Sequence, residues 1–243
     1  MLDFNPQRGD ATHITALIDT ALQNAHLTQT KRNYLGASRV GIACARALQY
    51  EYAGVSVDHG RTPNGRVLRI FALGHIMESC MAQWLFLAGF DLRCTQPDGQ
   101  QYGFSALDGD LQGHIDGVIV AGPEGFEYPI IWENKCVGAK TFRVLCTHPL
   151  AVSQPVYAAQ IALYQAYLQL HAHSALFTAL NADTMEIYAE RVPFDPVRAQ
   201  AASDRAVHII TATRAGEQLP RTFSDPIHFE CRFCAWQDRC WSN

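Results

Sequence analysis

The sequence predicts an α/β fold, a central mixed β-sheet flanked by helices, in a single domain spanning 1–243. Three observations predict it: a helical first quarter, a middle third of short strand-like runs, and a closing alternation of helix, two strands and helix. The 243 residues suffice for one substantial core, and 48% hydrophobic residues against 17% charged ones argue for packing over disorder. A net charge of −4 excludes a protein that coats nucleic acid by bulk charge, but not a local basic groove around an acidic site. No apolar run is read as reaching the roughly 20 residues of a bilayer span. The opening MLDFNPQRGD lacks the basic-then-apolar pattern of a secretory signal. A cytoplasmic location is therefore expected, where eight cysteines point to metal or catalysis before disulfides.

Residues 11–52 are mainly helical, with Ser38 as the expected N-cap of a helix carrying Cys44, Arg46 and Tyr50. Residues 53–65 read as a loop and Val67–Ala88 as a long apolar helix. Phe90–Thr95 reads as a short strand ended by the turn-forming PDGQ. Leu111–Val120 and Pro129–Cys136 read as a hairpin around GPEGFEY. A helix over Pro155–Leu170, strands over Ala175–Leu180 and Met185–Arg191, and a helix over Pro196–Ala215 follow. The tail from Glu217 is irregular and cysteine-rich. The expected organisation is an N-terminal helical region 1–66, a core 67–215 and a tail 216–243. No internal repeat, low-complexity tract or linker interrupts it.

Glu133 and Lys135 stand two apart on one expected strand, so both face the same way while Trp132 and Asn134 face the other. Asp116 falls on the preceding strand of the same hairpin. Paired carboxylates offer hard oxygen ligands to Mg²⁺ or Mn²⁺, and a neighbouring lysine can orient or deprotonate water. Ordinary surface charges on a hairpin would leave the same pattern. His75 and Glu78 share one helix face, and Gly74 before them permits close approach of another segment. Gln160 and Tyr164 share another, either to hydrogen-bond DNA or the lysine, or as polar edges of an amphipathic helix.

The series Gly74-His75-x-x-Glu78, Gly113-x-x-Asp116, Glu133-x-Lys135 and Gln160-x-x-x-Tyr164 resembles the RecB-type branch of the PD-(D/E)XK nucleases. That resemblance implies a restriction-endonuclease-like core. It implies His75, Asp116, Glu133 and the carbonyl of Cys136 as ligands of a divalent metal. Lys135 would be the catalytic lysine, and Gln160 and Tyr164 the accessory pair near DNA.

The tail carries Cys231, Cys234 and Cys240 in a C-x2-C-x5-C arrangement, three thiolates in one short stretch and one short of a closed site. Cys44 is the candidate fourth ligand. His228 is the rival, completing a zinc site of three cysteines and one histidine. One N-terminal and three C-terminal cysteines around this core resemble the Cas4 and AddB nucleases, whose likeness implies a [4Fe-4S] cluster, with Zn²⁺ the alternative. Either metal would clamp the tail against the N-terminal helical segment. Cys80, Cys94, Cys136 and Cys146 are expected to be ordinary buried thiols.

Between the Glu-x-Lys strand and the Gln/Tyr helix, Lys140, Arg143 and His148 interleave with Phe142, as a single-stranded DNA path or as a solvated loop. Segments such as YLGASRVGIACAR resemble phage or prophage Cas4-like enzymes. No G-x4-G-K-[ST] sequence is present, so any helicase would be a separate partner. The resemblance implies an exonuclease acting on single-stranded DNA or DNA ends, in recombination, repair or CRISPR adaptation beside a helicase, recombinase or adaptation proteins. A poorly cutting DNA-binding protein and an iron–sulfur or zinc interaction module are the rivals.

Overall fold

A computed structural model describes residues 8–30 and 32–242. Residues 1–7, where the argument against a signal segment begins, lie outside the described residues.

The core is built on a five-stranded mixed sheet. Its strands are β2 (Asp91–Arg93), β5 (Gly117–Ala121), β6 (Ile130–Val137), β7 (Ala175–Asn181) and β8 (Ile187–Val192), side by side in that order. β6 and β7 run parallel, as their helical crossover requires, and the other neighbours are antiparallel. A smaller sheet sets β1 (Leu35–Gly36) and β3 (Gly103–Ala106) on either side of β4 (Leu111–His114).

The run expected as one strand, Leu111–Val120, is two strands in two sheets. The chain crosses between them at Ile115-Asp116, with Ile115 fully buried and its amide on the carbonyl of Tyr102. Glycines bracket the crossing. A Cβ on Gly117 would lie 2.6 Å from Leu92 Cδ1, and one on Gly113 would lie 2.5 Å from Tyr164 Cε1. Asp116 therefore sits in a break between strands, not on a hairpin strand.

The helices are α1 (Arg8–Leu27), α2 (Ala45–Tyr52), α3 (Gly65–Leu87), α4 (Ala139–Thr147), α5 (Leu150–Ser153), α6 (Pro155–Tyr167), α7 (Pro196–Arg214), α8 (Phe229–Arg232) and α9 (Gln237–Trp241). α6 starts on Pro155, whose missing N–H costs nothing at a first turn. Its residues Ala158–Gln165 are buried all round, which marks a helix enclosed between the sheet and other elements. α7 starts on Pro196 with Asp195 Oδ1 capping the amide of Arg198. Ser38 does not cap α2. It lies in a 3-10 turn over Ala37–Arg39, and Cys44 occupies the N-cap position without a side-chain hydrogen bond.

α3 begins on Asn64, whose side chain accepts from the amide of Val67 at 3.0 Å. By length and composition alone it is apolar enough to cross a membrane, contrary to the expectation from sequence. Here it lies against β6, β2 and α1, buries Met81, and leaves Ile70, Phe71, Ile76, Phe86 and Leu87 exposed. One apolar cluster fills the space between the sheet, α6 and α7. A second, around Trp132 and Met81, joins the sheet to α3.

The segment expected as a basic loop is two helices, α4 and α5. Phe142 and Leu145 face inward from α4, so Phe142 is closed to base stacking. Lys140, Arg143 and His148 remain exposed on the outer side.

Candidate active site

Glu133 projects from β6 toward α6 and is completely buried. Its Oε1 accepts from Gln160 Nε2 at 2.6 Å and from Lys135 Nζ. Gln160 Nε2 also reaches Tyr164 Oη at 3.1 Å, so the i, i+4 pair on α6 forms one buried chain ending on the carboxylate. Gln160 and Tyr164 thus hold Glu133, Gln160 sharing its Oε1 with Lys135, and both are buried. Lys135 Nζ bonds the carbonyl of Asn134 at 3.2 Å and lies 5.5 Å from the centre of the Tyr157 ring.

β5 pairs with β6 only as far as Trp132, so beyond it this edge of β6 is left to Asp116. Asp116 Oδ2 accepts from the amide of Asn134 at 2.7 Å. The Asn134 peptide, singled out by no sequence argument, thereby meets Asp116 with its N–H and Lys135 with its C=O. The Cys136 peptide faces the same edge, but two residues or about 7 Å further along. The signal that could have found Asn134 is its place between Glu133 and Lys135.

His75 and Glu78 stand one turn apart on α3, His75 exposed and Glu78 half-buried. Among the described residues, nothing lies within 4 Å of a Cβ position at Gly74, so the expected close contact is not found there. Both side chains nonetheless face the Asp116 field. Burial, then the negative charge of Asp116, pushes the Glu78 carboxyl up, while His75 and Lys135 pull it down. Burial likewise raises Asp116 against Lys135, the Asn134 amide and His75. Burial and Asp116 push Glu133 up to about 8, with Lys135 opposing. Desolvation pulls the Lys135 ammonium down, but Glu133 and Asp116 outweigh it and hold it well above the ordinary lysine range.

Three carboxyl groups converge here against one lysine, and the buried Glu133 Oε2 has no hydrogen-bond partner among the described residues. Such an oxygen in a low-dielectric site is incomplete without a cation or water. The donor set, carboxylates with a backbone carbonyl and an optional imidazole, fits a hard divalent ion. Among the described residues, no three His, Cys, Asp or Glu side chains stand close enough together to hold a metal ion as they are placed here, the four tail and N-terminal cysteines included.

Gly113 keeps this site in register. A methyl there would meet Tyr164, Phe104 at 2.6 Å and Ala37 at 2.9 Å, and Tyr164 is buried with no room to retreat. Gly113→Ala is expected to cost about 1–3 kcal/mol of stability by overpacking. Urea denaturation checks this, and an unchanged midpoint would show that Tyr164 yields freely.

Cys44, Cys231, Cys234 and Cys240 line one cavity of about 280 Å³ beside Arg46 and Trp236, and all four are free thiols. Donors point at three of these sulfurs: Trp236 N at 3.5 Å from Cys234 Sγ, Arg46 Nη1 at 3.8 Å from Cys240 Sγ, and the Trp241 side chain on Cys231. Burial raises Cys231 and Cys234 against the hydrogen bonds from Trp241 and the Trp236 amide, with the neighbouring thiols adding to the rise. His228 is not part of the lining: its ring stacks on Phe223 at 3.8 Å and its Nδ1 caps the amide of Glu230.

The tail is tied to the N-terminal region by ordinary bonds as well. Gln49 exchanges bonds with Glu217 O and Leu219 N, Arg46 Nε bonds Leu219 O at 2.6 Å, and Trp236 Nε1 bonds Val55 O at 3.0 Å. The other four cysteines differ from expectation. Cys80, Cys94 and Cys136 are half-buried, and Cys146 is exposed because α4 turns Phe142 and Leu145 inward instead.

No protein-family model and no curated protein matches the chain. Among solved structures, an alkaline exonuclease (LHK-Exo) from Laribacter hongkongensis is similar at 13% identity and a TM-score of 0.54, over 76% of this chain and 90% of that one. LHK-Exo in complex with dAMP is similar at 14% identity and a TM-score of 0.50, over 76% and 89%. SSO0001 aligns over 95% and 97% at 17% identity, with a TM-score of 0.47. At such identities the likeness is one of fold. The chain carries an α/β fold, mixed sheets flanked by helices, that is similar to the fold of an alkaline exonuclease.

Proposed function

We propose that this chain is a metal-dependent deoxyribonuclease of the PD-(D/E)XK type, hydrolysing phosphodiester bonds at DNA ends. The carrying observation is Glu133: a buried carboxylate, one oxygen held by Lys135 and Gln160 and the other free, beside Asp116. The fold shared with an alkaline exonuclease supports the substrate class.

In this reading Asp116, Glu133 and the Asn134 carbonyl hold Mg²⁺ or Mn²⁺, with His75 reaching in from α3 and Glu78 adding charge. The Asn134 carbonyl replaces that of Cys136 because its own peptide already touches Asp116 and Lys135. The bound ion supplies Lewis acidity toward the phosphate and a water acidified for attack. Lys135, kept as an ammonium by Glu133 and Asp116, donates to that water or to the non-bridging phosphate oxygens, which favours an orienting and charge-stabilising role over that of a base. Gln160 fixes the Glu133 carboxylate, and Tyr164 fixes Gln160. The exposed Lys140 and Arg143 on α4, and His148 just after it, are assigned to phosphates of the incoming strand.

Cys44, Cys231, Cys234 and Cys240 are assigned to a [4Fe-4S] cluster, with Zn²⁺ as the alternative. The shared cavity and the donors on Cys234 and Cys240 support a thiolate set, and the use of His228 in stacking and capping supports Cys44 as fourth ligand. Preference for single-stranded DNA, a cytoplasmic location, a helicase, recombinase or CRISPR adaptation partner and a Cas4-like kinship belong to the same proposal.

The test is cleavage of end-labelled single- and double-stranded DNA by anaerobically purified protein with Mn²⁺ or Mg²⁺. A ladder growing from one end supports the proposal and gives polarity; intact DNA with both ions overturns it. Metal binding is also expected to track pH. Glu133 stays protonated up to about 8, so an incoming ion must displace that proton. Apparent Mn²⁺ affinity should rise about tenfold per pH unit toward pH 8 and then level off. Calorimetric titrations at several pH values check this; a flat profile from pH 6 to 8 contradicts it.

A further inference from the structure

On the face of β6 turned away from Glu133 and Lys135, three polar side chains are buried together. Trp132 is fully buried, Thr178 of β7 is 3% exposed and Asn134 is 4% exposed. Trp132 Nε1 donates to Thr178 Oγ1 at 2.9 Å, and Thr178 Oγ1 donates to Asn134 Oδ1 at 2.8 Å. Asn134 and Thr178 are direct neighbours in the parallel β6–β7 register.

The donor end of this chain is the indole. An indole N–H can only donate, so the threonine hydroxyl accepts it and keeps its own hydrogen for Asn134 Oδ1, while Asn134 Nδ2 is buried without a partner among the described residues. The surroundings are Met81, Ile119, Ile130, Leu176 and Leu180, an apolar cluster in which an unpaired hydroxyl or indole N–H is costly. Packing alone would be served as well by apolar side chains of the same shape. What the polar chain adds is a fixed position for Asn134.

That position matters on the other side of the strand. The backbone N–H of Asn134 holds Asp116, and its carbonyl receives Lys135. One residue is thus anchored through its side chain to Thr178 and through its peptide to two of the groups proposed to act on the phosphate. A small turn of the Asn134 peptide would move Asp116 and Lys135 together.

We propose that Thr178 is a positioning residue: with Trp132, it holds Asn134 so that the Asn134 peptide presents Asp116 and Lys135 at the spacing the metal site needs. This rests on the metal-dependent nuclease reading. Thr178 touches neither DNA nor the ion and acts only through Asn134.

The experiment compares wild type with Thr178→Val, which keeps the shape and removes the hydroxyl, and Thr178→Ser, which restores it. Mn²⁺ affinity is measured by calorimetry well below the unfolding midpoint, and kcat and KM on end-labelled DNA. Thr178→Val is expected to weaken Mn²⁺ binding and lower kcat, each about tenfold, as loss of an outer-shell partner does, with KM for DNA unchanged. Thr178→Ser is expected to recover both. If Thr178→Val does not fold, Thr178→Ala removes the same hydroxyl with a smaller side chain and is read by the same titration. Wild-type Mn²⁺ affinity in the variant, whatever its melting temperature, overturns the proposal by reducing the chain to a structural one. Wild-type protein that binds no Mn²⁺ at all overturns the nuclease reading first, and this proposal with it.

Discussion

Lys135→Ala should lower the rate of DNA cleavage by about 10²–10³-fold, the loss typical of removing one preorganised donor from a developing charge. The amine sits where it can act and nowhere else: bonded to Glu133 and the Asn134 carbonyl, above Tyr157, and held as an ammonium by two carboxylates. Its removal also withdraws the only positive side chain bonded to a fully buried carboxylate. Breaking a buried pair usually costs several kcal/mol because a bare charge is left behind. Here the cost is softened, because burial already pushes the Glu133 carboxyl up and it can take up a proton once the lysine is gone. The variant should therefore fold, bind Mn²⁺ more weakly and cut little. Circular dichroism, Mn²⁺ titration and a cleavage time course separate these effects. A folded Lys135→Ala protein that cuts within about threefold of wild type, far less than loss of such a donor, would remove Lys135 from the mechanism.

The parts of this site that could be read from sequence are those governed by local periodicity. Two-residue spacing put Glu133 and Lys135 on one face and Trp132 and Asn134 on the other, and the strand obeys it. The long helices carrying His75, Gln160 and Tyr164 were legible as apolar runs of helical length, not from an amphipathic period. What escaped depends on contacts between distant segments. β1 is only two residues long and exists because it pairs with β4, some 75 residues away, so no periodicity marks it. The crossing at Ile115-Asp116 has the composition of a strand throughout, and only the crowding against Tyr164 and Leu92 explains Gly113 and Gly117. Gln160 and Tyr164 look like polar edges on a helical wheel until the burial of the whole of α6 leaves Glu133 as their partner. Phe142 looked available to DNA for the converse reason: a short helix closing over β7 and β8 cannot be told from a basic loop by composition.

Cys44→Ser should cost the protein its bound metal and a large part of its thermal stability. Cys44 stands at the start of α2, and its three candidate partners lie near the end of the chain, all on the wall of one cavity. A cross-link that closes a loop well over a hundred residues long is worth about 5 kcal/mol in the chain-entropy account. For a domain of this size that corresponds to a fall of about 10–20 °C in melting temperature. The contacts of Gln49, Arg46 and Trp236 with the opposite segment would survive the substitution, so the tail should loosen without detaching. Cys146→Ser supplies the control, being a cysteine exposed on α4 and outside the cavity. Elemental analysis of anaerobically purified protein also decides between the two metals: iron with sulfide, or zinc alone. Loss of metal and stability in Cys44→Ser but not in Cys146→Ser would support the chain-end clamp. Equal metal content and melting temperature in both would mean that the tail is held by its hydrogen bonds alone, and that the four thiols share a cavity without sharing an ion.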